Sequence, residues 1–458
     1  MGGSDTDTLE LFVPEVPEAR WHPNFRRIAK EASEEERAEL LAWARGFEDG
    51  DGKFVKELQT TFNSSFWELY LHALFRESGC IRDQSQARPD FVVTDGPLGA
   101  FTAEAVIASN PAASSPEWTW DPTSPTAERE TILDLACLRL AQAIVSKQQK
   151  WSDGYSSLQW CRQRPFVVCV GPFEQPWASL QGTEAIDRVL FMGPRPVMST
   201  REGSSLVVGH EVSDRVFKPS GAAVELGLFT DDRCAGISAV LFSSLATWSK
   251  VRAMSDPGER LMRFFGARLE DGVLVPFVAS GGRYKERIEE GAHLFVNPFA
   301  ATPIDPQPFL NLGLGVHWFK ATGTLTAVPP QGLLLSRTAI EIRSTPSGLR
   351  PNARPSGATP HVATLPPDGV PFAGPSRGPF TDQITLEFWR GWTLFIGRDM
   401  VDGDWAVIAK RVAARSVSSF VDASPPPDGE FMTGFFATRA EAVEDARGRI
   451  DGESDGNP

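Results

Sequence analysis

The sequence predicts an α/β protein followed by a small C-terminal βββα module. Three observations carry this expectation. Between about residues 53 and 171 the apolar pattern reads helix, strand, strand, helix, strand. Residues 343–380 hold nine prolines with Gly and Ser between them, the composition of a linker. At 458 residues the chain is long for a single core. The expected division is an N-terminal arm and helix (1–52), an α/β domain with insertions (53–342), the linker (343–380) and the module (381–452).

Each element follows from local chemistry. Residues 1–24 are polar and contain prolines, so they read as an arm on the surface. Ser33 and Glu36 form a capping-box pattern, and Leu40, Leu41, Trp43, Ala44 and Phe47 supply the apolar side of the helix it starts. Glu48-Asp49-Gly50-Asp51-Gly52 ends that helix as a solvated turn; its ligand spacing is wrong for a calcium loop. A second helical region runs from Lys53 to about Ser78, with Gly79 as its stop. Strands at 90–95 and 101–108 flank Asp95-Gly96-Pro97-Leu98-Gly99, which has turn chemistry. A Ser/Pro-rich loop at 109–125 leads to a long helix at 126–151, with Leu133, Cys137, Leu140 and Ile144 as its apolar stripe.

Phe166–Val170 is a short continuous apolar run, the sign of a buried strand. Residues 172–234 read as irregular and rich in insertions. Ile237–Phe242 reads as another buried strand, and His293–Pro298 as an edge strand closing the domain near 305. Leu312–Val316 alternates like a strand. Beyond the linker, 391–398 and 404–411 alternate around Asp402-Gly403, 431–436 suits a third strand, and Thr438 with Glu441 caps a helix to about Ile450.

Composition narrows the function. The net charge is −14 and the pI near 5.1, which counts against strong non-specific nucleic-acid or membrane-surface binding but leaves room for a local basic groove. Five scattered cysteines without a CxxC argue against a zinc site or disulfide framework. No apolar run approaches the ~18 residues of a membrane helix. The acidic start lacks the basic region of a signal peptide, so a cytoplasmic location is expected. Aromatic usage is skewed, with 30 Phe and 13 Trp against 3 Tyr.

Three carboxylates occupy positions where an ionised group is costly. Glu68 lies inside the apolar helical run Phe66–Phe75, Asp90 opens a hydrophobic strand, and Glu104 sits in the middle of the next. Singly, each has an ordinary reading: Pro-Asp is a common turn dipeptide, a helical Glu is usually solvated, and a strand Glu is often half-exposed. In ordered combination they suggest a shared cation. A metal-dependent phosphodiesterase needs such carboxylates to hold Mg²⁺, and a lysine nearby to stabilise developing charge.

On these residues the chain resembles the PD-(D/E)XK nuclease superfamily, the restriction-endonuclease-like fold, over about residues 53–171 and more loosely to about 305. Pro89-Asp90 matches the PD element, Glu104 the acidic residue of the following strand, and Glu68 the acidic residue of the preceding helix. The resemblance implies a mixed sheet with helices on both faces. It also implies metal ligation by Glu68, Asp90 and Glu104 with Mg²⁺ or Mn²⁺, and a nucleic-acid substrate, DNA or RNA, with a role in defence against foreign nucleic acid as the family analogy. One position departs: the motif lysine falls at Val106. Some members carry that lysine on the next helix, which makes Lys147 the first candidate, Lys150 the fallback and Gln149 a further polar group. Three readings therefore stand. The first is a Mg²⁺-dependent nuclease with Asp90, Glu104 and Lys147 as its catalytic residues. The second is a catalytically inactive scaffold or binding protein, with Val106 as the trace of the loss. The third is an α/β protein in which the carboxylates are coincidental. A protein partner for the C-terminal module and a homodimer are compatible with each. His72 reads as a packed core histidine, and His210, His293 and His317 show no metal-ligand spacing.

Overall fold

Most of the described residues from 9 to 24 lie on the surface, as expected of an arm, and two apolar side chains pin the segment to the core. Leu11 is fully buried and Val16 nearly so, and a helix not expected from the sequence, α1 (Pro23–Glu31), follows the arm. The reason is local: His22 accepts from the Asn24 amide, Pro23 occupies the first helical position, and Phe25 and Ile28 give the helix an apolar face. In this computed structural model the described residues are 9–342 except 112–114, 120–128, 177, 202–203, 259, 271–272 and 321–322. Beyond these come 385–389, 392–398, 405–411, 430–432, 444, 445 and 447.

The expected capping box is present at α2 (Glu34–Trp43), where Ser33 and Glu36 exchange side-chain and backbone bonds. Asp49 takes the amides of Lys53 and Phe54, so the acidic turn serves to start α3 (Phe54–Thr60). Thr61 separates α3 from α4 (Phe62–Glu77), and Gly79 at φ 73° supplies the left-handed stop that a side chain would disfavour. There follow β1 (Ile81–Arg82), β2 (Phe91–Asp95), β3 (Phe101–Ser109), α5 (Arg129–Asp153), β4 (Phe166–Phe173) and α6 (Glu184–Phe191). The stretch expected to be irregular holds α6 and two hairpins, β5 (Arg195–Arg201) with β6 (Ser204–Glu211) and β7 (Arg215–Phe217) with β8 (Ala223–Glu225). Next come β9 (Ala239–Phe242), α7 (Trp248–Met254), β10 (Leu261–Glu270), β11 (Val273–Ser280) and β12 (His293–Val296). The domain closes with α8 (Gln307–Leu312), β13 (Gly315–Lys320), β14 (Gly323–Ala327) and β15 (Leu333–Ile342).

The main sheet has eight strands in the order β1-β2-β3-β4-β9-β12-β13-β14 and is mixed: β3, β4 and β9 are parallel, and β12 is antiparallel to β9 but parallel to β13. The strand expected to be an edge, β12, is interior, because β13 and β14 extend the sheet beyond it. Leu312 ends a helix, Gly313 turns the chain at φ 126°, and the strand begins only at Gly315. Both faces of the sheet are covered. β4 is buried along its whole length: Val167 and Cys169 pack with α1–α4, and Phe166, Val168 and Val170 with α5 and α6. Such two-sided burial explains why its sequence is a continuous apolar run rather than an alternation. A second sheet, β11-β10-β15, is antiparallel throughout.

In the C-terminal region the described strands are four rather than three: β16 (Thr385–Trp389), β17 (Trp392–Arg398), β18 (Trp405–Arg411) and β19 (Glu430–Met432), antiparallel in that order. The additional strand, β16, pairs residue for residue with β17. The linker at 343–380, the Asp402-Gly403 turn and most of the expected helix at 438–450 lie outside the described residues.

The chain's few tyrosines are all committed through their hydroxyls. Tyr70 donates to the Ile288 carbonyl, Tyr155 to Glu104 and Tyr284 to Glu286. Burying a hydroxyl is costly unless it is bonded, so phenylalanine fills the apolar positions and tyrosine stands where an acceptor waits.

Candidate active site

The site forms where β2 begins late. Phe91 pairs with Ala103, so β3 runs on past the start of β2 with one flank open, and Ala105, Val106 and Ile107 are half-buried there. Asp90 takes the place of the missing strand: its Oδ2 accepts from the Ala105 amide at 2.7 Å. That bond satisfies an edge donor and ties the carboxylate to β3.

Glu104 lies one residue before, 2 % exposed, on the sheet face covered by α5. Its Oε1 accepts from Lys147 Nζ at 2.8 Å, Lys150 Nζ at 3.3 Å and Tyr155 Oη at 3.2 Å. The three donors share a cause. α5 packs along β3 through Leu133, Cys137, Leu140 and Ile144, so the end of its stripe arrives over Glu104. Lys147 is buried with its ammonium on the carboxylate, whereas Lys150 remains half in water. Tyr155 follows in the turn after the helix, its ring edge-on to Phe166. Val106, where the motif lysine would stand, packs on this same face beside α5. Glu104 Oε2, by contrast, is buried and has no hydrogen-bond partner.

Glu68 approaches from α4 on the other side of the open edge. Its neighbour Trp67 is anchored by Nε1 to the Cys169 carbonyl, which fixes this turn of the helix over β4. Glu68 is half-buried and makes no hydrogen bond or ion pair with a described residue. Burial first, then the charges of Asp90, Glu57, Glu104 and Asp49, push its carboxyl up to about 8. Much of the Asp90 surface meets water, yet the protein around its carboxylate and then the charge of Glu104 push it up to about 6. Lys150 is raised above its ordinary value: burial opposes its charge, but the Glu104 carboxylate outweighs burial. Burial and Glu104 likewise hold the Tyr155 hydroxyl protonated, as a donor.

Of the residues singled out in the sequence, Glu68, Asp90 and Glu104 are thus within electrostatic reach of one another, and Lys147 is in reach of Asp90 and Glu104. Among the described residues, however, no three Asp, Glu, His or Cys side chains close into a metal cage. Hard carboxylate oxygens are the right donor type for Mg²⁺, an ion that commonly takes one or two carboxylates and keeps several waters. The orphaned Oε2 of Glu104 and the mutual repulsion of Asp90, Glu104 and Glu68 fit that mode, since a cation would relieve both.

Tyr155 was not anticipated. The signal available was its rarity and its place in the turn following Lys150. His72 is buried in the core, with Nε2 2.8 Å from the Arg45 carbonyl. His293 and His317 are brought together by parallel strands: Nδ1 of one lies 3.0 Å from Nε2 of the other, and Thr326 Oγ1 lies 2.9 Å from His317 Nδ1. Burial depresses both rings, His293 to about 4, so the pair is neutral and shares one hydrogen bond.

No family model, curated protein or solved structure matches this chain. Among the described residues, no helix is long and apolar enough to cross a membrane.

Proposed function

We propose that the chain is a divalent-metal-dependent nuclease of the restriction-endonuclease-like type, acting on DNA or RNA in the cytoplasm. One observation carries the reading: Glu104 has one oxygen saturated by Lys147, Lys150 and Tyr155, and the other buried without a partner beside Asp90. A fixed carboxylate with an unmet acceptor, set among like charges, is a poor structural device and a good cation ligand. Asp90 and Glu104 would hold Mg²⁺ or Mn²⁺, with Glu68 completing its surroundings. Bound there, the ion supplies charge neutralisation at a phosphate and a more acidic water. Lys147 is held by Glu104 where its ammonium can face charge developing on the phosphate, the role of the lysine that Val106 displaces. Tyr155 and Lys150 fix the carboxylate so that Oε2 remains the free oxygen.

The test is hydrolysis of single-stranded DNA, duplex DNA and RNA in Mg²⁺ or Mn²⁺, with calorimetry of ion binding. Asp90→Ala is expected to abolish both while leaving the thermal transition in place, because Asp90 is exposed and contributes little packing. Absence of cleavage in all three substrates, with no Asp90-dependent ion binding, removes the enzyme reading. A catalytically inactive scaffold is then what remains. The observation favouring that second reading is the closed Lys147–Glu104 ion pair, together with the lack of a three-ligand cage among the described residues.

A further inference from the structure

Two loops border the open edge of β3, and they are fastened to each other. Residues 83–90 lead into Asp90, and residues 158–165 lead from Tyr155 into β4. Trp160 joins them by donating Nε1 to the Arg88 carbonyl at 2.8 Å. Its indole is half-exposed, so one end is anchored and the rest of the ring is not swallowed by the core. Around it stand Arg88 and Arg162, both exposed, and Arg164, half-buried with Nη1 enclosed and unpartnered. Among the described residues none of these guanidinium groups is in ion-pair contact with a carboxylate, although Arg164 stands near enough to Asp83 to help lower its carboxyl. Elsewhere Arg188, Arg233, Arg252, Arg260 and Arg337 are neutralised by glutamates or aspartates, and Arg37 and Arg139 spend their guanidinium groups on neutral acceptors of the protein itself. Gln163, between two of the unpaired arginines, is held at φ 59°, in the left-handed region that a glutamine rarely adopts. The loop is therefore kept in a specific shape, and that shape carries cations in a protein whose net charge is −14.

We infer that Trp160 and the flanking Arg88, Arg162 and Arg164 form a binding platform for single-stranded nucleic acid at the mouth of the carboxylate site. The inference rests on the phosphodiester reading of that site. An indole beside unpaired guanidinium groups offers what an unpaired strand presents: a base face to stack on, and phosphates between successive bases to pair with. A duplex hides its base faces and would need a broad basic surface, which the acidic balance of the chain disfavours. The position agrees with the chemistry, because Arg88 stands two residues before Asp90 and its charge reaches Tyr155.

The experiment is fluorescence anisotropy of labelled oligothymidylate and oligouridylate with the full-length protein in EDTA, where nothing is hydrolysed, with a duplex of equal length as competitor. Single strands are expected to bind and the duplex to compete poorly. Trp160→Ala should weaken binding about tenfold, the usual scale for one stacked base, while Trp160→Phe, which keeps a stacking ring but loses the bond to Arg88, should retain most of it. Arg162→Ala should lower affinity and flatten its salt dependence. Equal binding of duplex and single strand, or identical affinities for Trp160→Ala and the unaltered protein, overturns the platform. The two readings fail separately. Cleavage with no Trp160 dependence of binding leaves the nuclease and removes the platform; Trp160-dependent binding without cleavage does the reverse.

Discussion

Two buried glutamates in this protein have nearly the same partners and opposite character. Glu286 joins the second sheet to the main body. Its Oε1 accepts from Arg337 Nε and the Tyr284 hydroxyl at 2.8 and 2.7 Å. Its Oε2 forms an ion pair with the Lys250 ammonium at 2.6 Å. Lys250 in turn donates to the carbonyls of Arg287 and Glu290, and Arg337 to that of Leu245. Glu104 also faces two cations and a tyrosine, but all three crowd onto one oxygen and its charged neighbours include Asp90 and Glu68. Electrostatics follows. Although burial alone would raise it, Glu286 is lowered below its ordinary value by Arg337 and Lys250, whereas Asp90 and Glu68 are raised. A closed cluster satisfies its charges and holds elements together; an open one leaves an acceptor unmet, which is the feature the proposed function uses.

The largest effect that can break this contrast is on stability. Glu286→Ala strands Lys250 and Arg337 in the interior, and is expected to cost about 3–5 kcal/mol in denaturant unfolding. Glu104→Gln leaves the buried Lys147 ammonium a neutral acceptor and relieves the repulsion with Asp90 and Glu68, so its cost should be clearly smaller than that of Glu286→Ala. Similar losses for the two variants would mean that both clusters are structural. A smaller effect distinguishes the two lysines. Lys147→Met should lower hydrolysis about a hundredfold, and Lys150→Met much less, because only Lys147 has its ammonium enclosed on Glu104. The reverse order would move the assisting cation to Lys150.

The smallest effect, and the one that sharpens the comparison most, is on pH. Glu68 and Asp90 have folded-state values of about 8 and about 6, above their ordinary ones. Between the ordinary carboxylate range and those values the folded protein binds more protons than the unfolded chain. The site therefore favours folding at low pH and loses that contribution as pH rises towards 8. A divalent ion bound there, as proposed, would take the place of those protons, so Mg²⁺ should bind more tightly at pH 8 than at pH 6 and release protons as it does. Calorimetry in buffers of different ionisation enthalpy counts them, and no release would contradict the shared site. Glu286, shifted the other way, contributes stability that disappears only below the ordinary carboxylate range.

What the sequence disclosed follows the range of the forces involved. Features set within a few residues were legible: the capping box at Ser33 and Glu36, the stop at Gly79, the two-sided burial of β4, and the α5 stripe ending at Lys147. Features set by distant segments were not. β12 looked like an edge because β13 joins it only after α8 has intervened. The His293–His317 pair, Tyr155 on Glu104 and the Lys250–Glu286–Arg337 cluster each depend on register between separate elements, which local periodicity does not encode. The leaning of Asp90 onto Ala105 belongs to the same class: a Pro-Asp at a strand start is commonplace until the neighbouring strand is seen to run on past it.

The scarcity of tyrosine has a practical consequence. With only three phenols in the chain, incorporation of 3-fluorotyrosine would yield a ¹⁹F spectrum of three resonances, each reporting a different buried acceptor. Tyr155 would report the open cluster, Tyr284 the closed one, and Tyr70 the interior between α4 and the Ile288 carbonyl. Titrating metal or oligonucleotide while watching which line moves would separate events at the cleft from changes in the scaffold, within a single uncut molecule.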